Sequence, residues 1–198
     1  GRFVFGLGAG HAWPGQAHAF GLPEDRIFDR FEEALQVIVP LLREGRADFE
    51  GTFHAARGLP QLPQGPRPNR IPIMLGVLGP RGQRLAAKHA DIWSLYAESR
   101  NDMVEFQPRL DGLLEACAEV GRDPNTIGRS AGVNTRPLEP EPHPERAWIG
   151  GSAEQMADQI RAVRDGGITQ VELFISPPTL ESVEACAPVL ELLRADGP

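Results

Sequence analysis

Several residue types and patterns are scarce in this chain of 198 residues. The two cysteines, Cys117 and Cys186, each lie in an apolar helical pattern and form no C-x-x-C pair. We therefore expect core packing, with neither a disulfide nor a metal site. No apolar run approaches the roughly 20 residues of a membrane span, and no basic-then-apolar leader opens the sequence. These patterns predict a cytoplasmic protein with no membrane partner.

Basic residues are also fewer than acidic ones. The formal net charge is -7, and Lys88 is the only lysine beside the arginines. A protein that binds nucleic acid or an anionic membrane gains from a basic surface. The charge therefore argues against nucleic acid as a partner and favours a small-molecule substrate or another protein.

The N-terminal stretch GRFVFGLGAGHAW lacks the glycine spacing of a dinucleotide-binding loop. The fingerprint G-x-G-x-x-G needs three glycines, for the turn, the phosphate approach and the helix packing. Starting from Gly6 and Gly8, the third position is His11; starting from Gly8 and Gly10, it is Trp13. A Rossmann-type dehydrogenase is therefore disfavoured.

What the sequence does contain is an alternation of short β-branched or aromatic runs with longer helical patterns. This alternation is typical of βαβ units and a parallel sheet, and it predicts five such units in one α/β domain over residues 1–198. The predicted strands are 3–7, 71–75, 91–97, 129–134 and 171–175, and ADFEGTFH predicts a small hairpin.

Helix boundaries follow from capping and proline signals. The first long helix is predicted from about Pro23, and Pro80 is expected at the first position of another, capped by Gly79. Pro108 is placed in a first turn, because a proline inside a helix costs about 3 kcal/mol. Ser152 and Gln155 predict a capping box. A single last helix is expected to carry Leu180, Val183, Cys186, Leu190 and Leu193.

Ligands of parallel α/β folds bind at the carboxyl ends of the strands, so the segments after the strands are the candidate sites. GVLGPR, residues 76–81, joins a strand to a helix whose free N–H groups could hold a phosphate. Arg81 could add charge to that contact. The alternative interpretation is a tight turn with solvated arginines, and the residues leave both open.

GAGHAW, residues 8–13, is the second candidate. Glycines at a strand tip allow a flat ligand to approach the backbone, and His11 could exchange a proton near neutral pH while Trp13 walls a pocket. Alternatively, His11 binds a carbonyl in a loop and Trp13 packs. Ser94 and Tyr96 could reach the same ligand. The remaining histidines show no metal-ligand spacing, namely His18, His54, His89 and His143.

The ordered set of motifs resembles the luciferase-like monooxygenase superfamily, in particular its coenzyme F420-dependent oxidoreductases. The motifs are GRFVFGLGAGH, DRFEEALQVIVPLL, DFEGTFH, PIMLGVLGPRGQRLAAKHADIWS, GRDPNTI and GGSAEQMADQIRAVRDGGITQVELF. The resemblance implies a (β/α)₈ TIM-barrel type of fold, here a partial barrel that corresponds to the C-terminal five βα units with the N-terminal units absent.

The resemblance also implies a function and a site. It implies hydride transfer to or from a small organic substrate by coenzyme F420, with FMN as the alternative cofactor, in a homodimer or higher homo-oligomer. His11 is the implied catalytic residue, and Trp13 and Ser94 would line the substrate pocket. The implied cofactor contacts are Gly8, Gly10, Gly76, Val77, Leu78, Gly79, Pro80 and Arg81.

A barrel with five units should expose two sheet edges and a large inner face. Partner chains, a longer polypeptide or a rearranged fold would each cover them. A non-catalytic cofactor-binding or assembly protein is the alternative function that this consideration keeps open.

Overall fold

The structure, a computed structural model, describes residues 3–10, 15–66 and 68–197. These residues form seven strands and seven α-helices. The strands are β1 Phe5–Leu7, β2 Arg46–Glu50, β3 Ala55–Pro60, β4 Ile73–Gly76, β5 Ile92–Tyr96, β6 Gly128–Thr135 and β7 Gln170–Ile175. The helices are α1 Gln16–Phe20, α2 Ile27–Glu44, α3 Pro80–His89, α4 Met103–Glu119, α5 Ala153–Asp165, α6 Leu180–Ala185 and α7 Ala187–Ala195.

Five of the strands form one curled parallel sheet in the order β1-β4-β5-β6-β7. Strands β2 and β3 form a separate antiparallel hairpin. Helices follow the sheet strands, as parallel crossovers require. The sheet is that of a half barrel, which confirms the predicted partial (β/α) architecture of five parallel units.

The outer face of the sheet carries the core. Side chains alternate between the two faces of a strand, and on β4 and β5 the outward positions Ile73, Leu75, Trp93 and Leu95 are all buried. They belong to one hydrophobic cluster together with residues of the surrounding helices. Both cysteines are buried, as predicted from their apolar helical surroundings.

The inner face of the sheet is open. Val4, Tyr96 and Phe174 are 39%, 52% and 54% exposed. Strands β1 and β7 are the two edges, and no described residue pairs with the outer side of either in the sheet. The expected exposure of two edges and an inner face is therefore present in the described part of the chain.

Several helix predictions are confirmed. Gly79 is the N-cap of α3 and Pro80 occupies its first position. Ser152 and Gln155 form both hydrogen bonds of a capping box at the start of α5. These boundaries depend on contacts within one turn of chain, and the sequence therefore predicts them well.

Three other helix predictions are wrong. Helix α2 begins at Ile27 rather than near Pro23, and α4 begins at Met103, which leaves Pro108 inside the helix. The Asp102 carboxylate caps α4 by accepting a hydrogen bond from Val104 N at 3.1 Å. This strong cap, with Phe106 fully buried, outweighs the cost of the proline. The predicted last helix is divided into α6 and α7 at Cys186, where Pro188 lies in the first turn of α7.

Candidate functional site

A cavity of about 700 Å³ lies at the carboxyl ends of the sheet strands, on the inner side of the half barrel. This is the edge where parallel α/β folds bind their ligands, because loops and backbone amides converge there. The lining residues come from β1, β4, β5, β7 and the start of α2: Gly8, Ala9, Gly10, Phe28, Gly76, Val77, Leu78, Ser94, Leu95, Tyr96, Glu98, Glu172 and Phe174.

Glycines form the wall of the cavity at the tips of β1 and β4. A Cβ atom on Gly8 would lie 3.6 Å from the carbonyl oxygen of Gly76, so the two strand tips lie side by side. Gly10 has φ +93°, a backbone conformation that favours glycine. With no side chains at Gly8, Gly10 and Gly76, a flat ligand can approach the backbone along this wall.

The turn from β4 to α3 is anchored from the outer face. The indole nitrogen of buried Trp93 donates to the carbonyl of Val77 at 2.6 Å. A Cβ on Gly82 would lie 2.7 Å from the Val77 side chain, so this glycine permits the close approach of helix and turn. Gly79 has an extended backbone and no side chain to cap α3. The first N–H groups of the helix therefore remain free to bind an anion.

The Arg81 guanidinium is engaged with helix α2. It donates to Asp29 at 2.7 Å and to Glu32 at 3.0 Å, and it lies 5.0 Å from the centre of the Phe28 ring. Hydrogen bonds from Arg26 and Arg81 hold the pKa of the Asp29 carboxyl below its usual value. The Arg81 side chain therefore positions α2 and the Phe28 ring against the cavity, and its charge is balanced by carboxylates.

A carboxylate fixes the loop that follows β5. Glu105 of α4 accepts hydrogen bonds from the backbone N–H of Glu98 at 2.7 Å and of Ser99 at 3.1 Å, and also from Arg100 N. Burial alone would raise the pKa of Glu105, but these backbone donors outweigh it and hold the pKa below its usual value. Glu98 is thereby fixed at the rim of the cavity, where it pairs with Arg109 at 3.0 Å.

Glu172 and Phe174 form the opposite wall, on β7. The buried Ser130 hydroxyl donates to Glu172 Oε1 at 2.7 Å, and the Gln170 amide donates to the same oxygen at 3.1 Å. The Phe174 ring lies over Gly132, where an added Cβ would approach the ring to 2.4 Å. Sequence reasoning missed both residues. Their signal is the alternation in QVELFI, which places a charged residue on one face of an apolar strand.

The structure brings six of the predicted site residues to one cavity, namely Gly8, Gly10, Gly76, Val77, Leu78 and Ser94. Gly79, Pro80 and Arg81 begin α3 directly beyond it, but the Arg81 guanidinium is directed at α2. The predicted catalytic residue His11 and the pocket residue Trp13 lie outside the described residues. Tyr96, the weaker candidate for ligand contact, also lines the cavity.

A second cavity, of about 480 Å³, adjoins the tip of β1. It is mainly apolar, and Phe20, Ile27 and Phe31 are among its lining residues. Gly10 and Gln16 also line it. This cavity shares Gly10 with the first.

Neither a metal cluster nor a membrane span is found in the part of the chain that the structure describes. No group of three or more His, Cys, Asp or Glu is arranged there to hold a metal ion. None of its helices has the length and apolar character needed to cross a bilayer.

Residues 1–138 match the luciferase-like monooxygenase family. The pyrimidine monooxygenase RutA of Methylorubrum extorquens is 30% identical over 128 residues, which cover 62% of this chain and 34% of the relative. The chain thus spans about a third of the length of the curated relatives it matches.

Solved structures share the fold at low identity. The monooxygenase RslO1 from Streptomyces bottropensis matches with a TM-score of 0.79 and 19% identity, over 98% of this chain and 69% of that one. The coenzyme F420-dependent tetrahydromethanopterin reductase from Methanopyrus kandleri matches with a TM-score of 0.73 and 16% identity, over 96% and 72%. An F420-dependent secondary alcohol dehydrogenase, in complex with an F420-acetone adduct, matches with a TM-score of 0.71 and 16% identity, over 94% of this chain and 70% of that one.

Proposed function

The chain belongs to the luciferase-like monooxygenase family, and from this premise we propose that it is a flavin- or F420-dependent oxidoreductase that transfers a hydride to or from a small organic substrate. Two of the similar structures are F420-dependent enzymes, and another, a riboflavin lyase, contains a modified FMN. The observation that carries the proposal is one cavity lined by glycines at the strand tips, next to the N-terminus of α3, which no side chain caps.

The described residues fit such a cofactor in two respects. Space beside Gly79 is open, since no atom apart from its chain neighbours lies within 4 Å of a Cβ built there, and the α3 amides next to it can donate hydrogen bonds to a phosphate. The wall of Gly8, Gly10 and Gly76 can accept the face of a ring. The Arg81 guanidinium does not fit a direct phosphate contact, because Asp29 and Glu32 already bind it. We assign the phosphate to the backbone of the turn.

The bound cofactor would supply the hydride chemistry, while the protein supplies position, electrostatics and exclusion of water. In this proposal Gly76, Val77 and Leu78 hold the cofactor at the turn. Ser94 offers a hydroxyl to the substrate from the inner face of β5. Trp13 walls the pocket.

The phosphate assignment is tested at Gly79. Gly79→Asp places a carboxylate at the N-cap of α3, a position that aspartate favours, so the fold should be retained. The same carboxylate would repel a phosphate on the helix amides. We expect the Kd for FMN or F420 to rise at least about tenfold, as one charge near another predicts in a partly shielded site. Fluorescence titration measures it.

Gly79→Asn is the matched control, because asparagine caps equally well without the charge. It should leave the affinity close to that of the wild type. Riboflavin, which lacks the phosphate, should bind both variants alike. Equal FMN affinity in the Asp and Asn variants would contradict the phosphate assignment, and absence of binding by both cofactors to the wild type would contradict the proposed function.

His11 is proposed as the general acid or base. General acid–base groups contribute about 10² to 10⁴ in rate. His11→Ala should therefore lower kcat at least about tenfold with cofactor affinity retained, measured as single-turnover cofactor reduction or oxidation. A smaller loss would assign the proton transfer to another group.

The open inner face favours a second candidate function, a non-catalytic cofactor-binding or assembly protein. Large exposed apolar surfaces are often covered by other protein, and Phe174 and Tyr96 are more than half exposed here. Tight cofactor binding without reduction by alcohols, sugar phosphates or a nicotinamide donor would favour this candidate over the enzyme.

A further inference from the structure

We infer that Glu172 sets the substrate class of the cavity: it selects neutral or cationic molecules that carry a hydrogen-bond donor and excludes anionic ones. The inference rests on the proposed function, because it takes this cavity as the place where the substrate binds. It concerns a side chain to which neither the sequence analysis nor the cofactor assignment gives a role.

Glu172 is placed on the inner face of the sheet by the register of β7. It pairs with Gly132 of β6, and its neighbours on the same face of β7 are Gln170 and Phe174. Gly132 contributes no side chain, so the space in front of Glu172 opens into the cavity and is limited on one side by the Phe174 ring. Glu172 is partly buried and lines the cavity on the wall opposite the glycines.

The hydrogen bonds of Glu172 leave one oxygen available. Ser130 and Gln170 both donate to Oε1, while no described residue donates to Oε2, and this atom is not among the buried unpartnered atoms. The two donors fix the orientation of the carboxylate without neutralising it, since a hydroxyl and an amide carry no charge. Oε2 is therefore a fixed acceptor with solvent access at the cavity wall.

The charged side chains among the described lining residues of the cavity are Glu98 and Glu172, and both are acidic. Arg109 pairs with Glu98 and Glu105 and donates to the carbonyl of Tyr96, so the charge of Glu98 is balanced. Arg81 pairs with Asp29 and Glu32. No described cation pairs with Glu172, so its negative charge acts on whatever occupies the cavity.

This arrangement discriminates between ligands by charge. An anion brought beside Glu172 in a partly shielded cavity is repelled, whereas a hydroxyl, amide or ammonium donor gains a charge-assisted hydrogen bond to Oε2. Carboxylates and phosphate esters are thus disfavoured at the reacting end of the substrate. Alcohols, amides and amines fit.

The test compares three probes that share a ring and differ in the polar group: benzylamine, benzyl alcohol and benzoate, at neutral pH. Binding to the wild-type protein without cofactor is followed by NMR at the backbone amides of β6 and β7, up to the solubility of each probe, so that benzoate held at the α3 amides is scored separately. We expect benzylamine and benzyl alcohol to bind at least about fivefold more tightly than benzoate. The discrimination against benzoate should weaken as salt is raised.

Glu172→Gln removes the charge and keeps the shape. It should bring the three affinities to within about twofold of one another, and Glu172→Asp, which keeps the charge, should retain the order. Glu115→Gln changes the net charge equally on the exposed surface of α4 and is the matched control. It should leave the order unchanged.

Two results would overturn the inference. One is a wild-type protein that binds benzoate as tightly as benzyl alcohol, or binds none of the probes. The other is an unchanged order in Glu172→Gln. If that variant fails to fold, the order of the three affinities in the wild type and its dependence on salt decide whether the inference holds. Because the titrations contain no cofactor, a failure of the proposed cofactor binding remains distinguishable from a failure of the charge selection.

Discussion

The two faces of the central sheet differ although the same strands form both. On β5, Trp93 and Leu95 point outward and are buried, whereas Ser94 and Tyr96 point inward and line the cavity. The outer face is covered by helices of the same chain, and the inner face is open. Burial of apolar area stabilises the fold on one side. Glycine, hydroxyl and carboxylate groups on the other side are available for binding.

The difference indicates that strand alternation separates the packing residues from the proposed ligand contacts. Side chains on the outer face are constrained by packing at crystal-like density. On the inner face Tyr96 and Phe174 are more than half exposed, so packing constrains them less. The strand-to-helix turn at Val77 connects the two sides, since its carbonyl is held by outer-face Trp93 while the turn itself borders the cavity.

The largest expected effect on the free energy of unfolding comes from removing an aromatic side chain on the outer face, and the same change on the inner face is the comparison. Trp93→Ala removes a fully buried ring and leaves the Val77 carbonyl without its donor. We expect the free energy of unfolding to fall by about 4 kcal/mol. Tyr96→Ala, three residues along the same strand and 52% exposed, should lower it by less than about 1 kcal/mol. Urea denaturation measures both.

Similar losses in the two variants would contradict the separation of the faces. In that case the inner face would be packed in solution as the outer one is, and the assembly state of the protein would have to be measured alongside. The unfolding m-value provides the control, because a change in m would indicate altered exposed area rather than a lost contact.

A smaller effect is expected at the rim where the two faces meet. Glu105 carries three backbone hydrogen bonds of the β5 loop, and its side chain is 8% exposed. Glu105→Gln should lower the free energy of unfolding by about 2 kcal/mol, since hydrogen bonds to a charged acceptor are the stronger kind.

The effect of Glu105→Gln on stability should depend on pH in a defined direction. The pKa of Glu105 is held below its usual value of 4.5 in the folded protein. Its stabilisation is therefore complete above that value and is lost as the pH falls through the folded pKa. The stability difference between wild type and Glu105→Gln should shrink on acidification. A difference independent of pH would show that packing, not charge, is responsible.

Much of the fold could be predicted from the sequence because its signals are local. The alternation of strand and helix patterns predicts all five sheet strands, and Gly79, Pro80 and Ser152 mark helix starts correctly. Pro108 misled the prediction, because a good cap at Asp102 and buried apolar positions outweigh one missing hydrogen bond.

The candidate site could be predicted only in part. The glycines at the tips of β1 and β4 are recognisable, because parallel strands end at one edge of the sheet. Helix α3 follows that edge, but Arg81 binds two carboxylates about fifty residues earlier in the chain. Glu172 stands far from the glycines in sequence, and only the register of β6 with β7 brings it to the same cavity.

The amino-acid sequence by itself determined the period of each segment, the helix caps and the family motifs, since these depend on neighbours along the chain. The tertiary structure decided which face of each strand is covered and which charges remain without a partner. Both depend on long-range pairing, such as that of Ser130 with Glu172 across two strands. An isolated stretch of sequence does not contain that information, because the partner of each group is fixed only when the sheet curls.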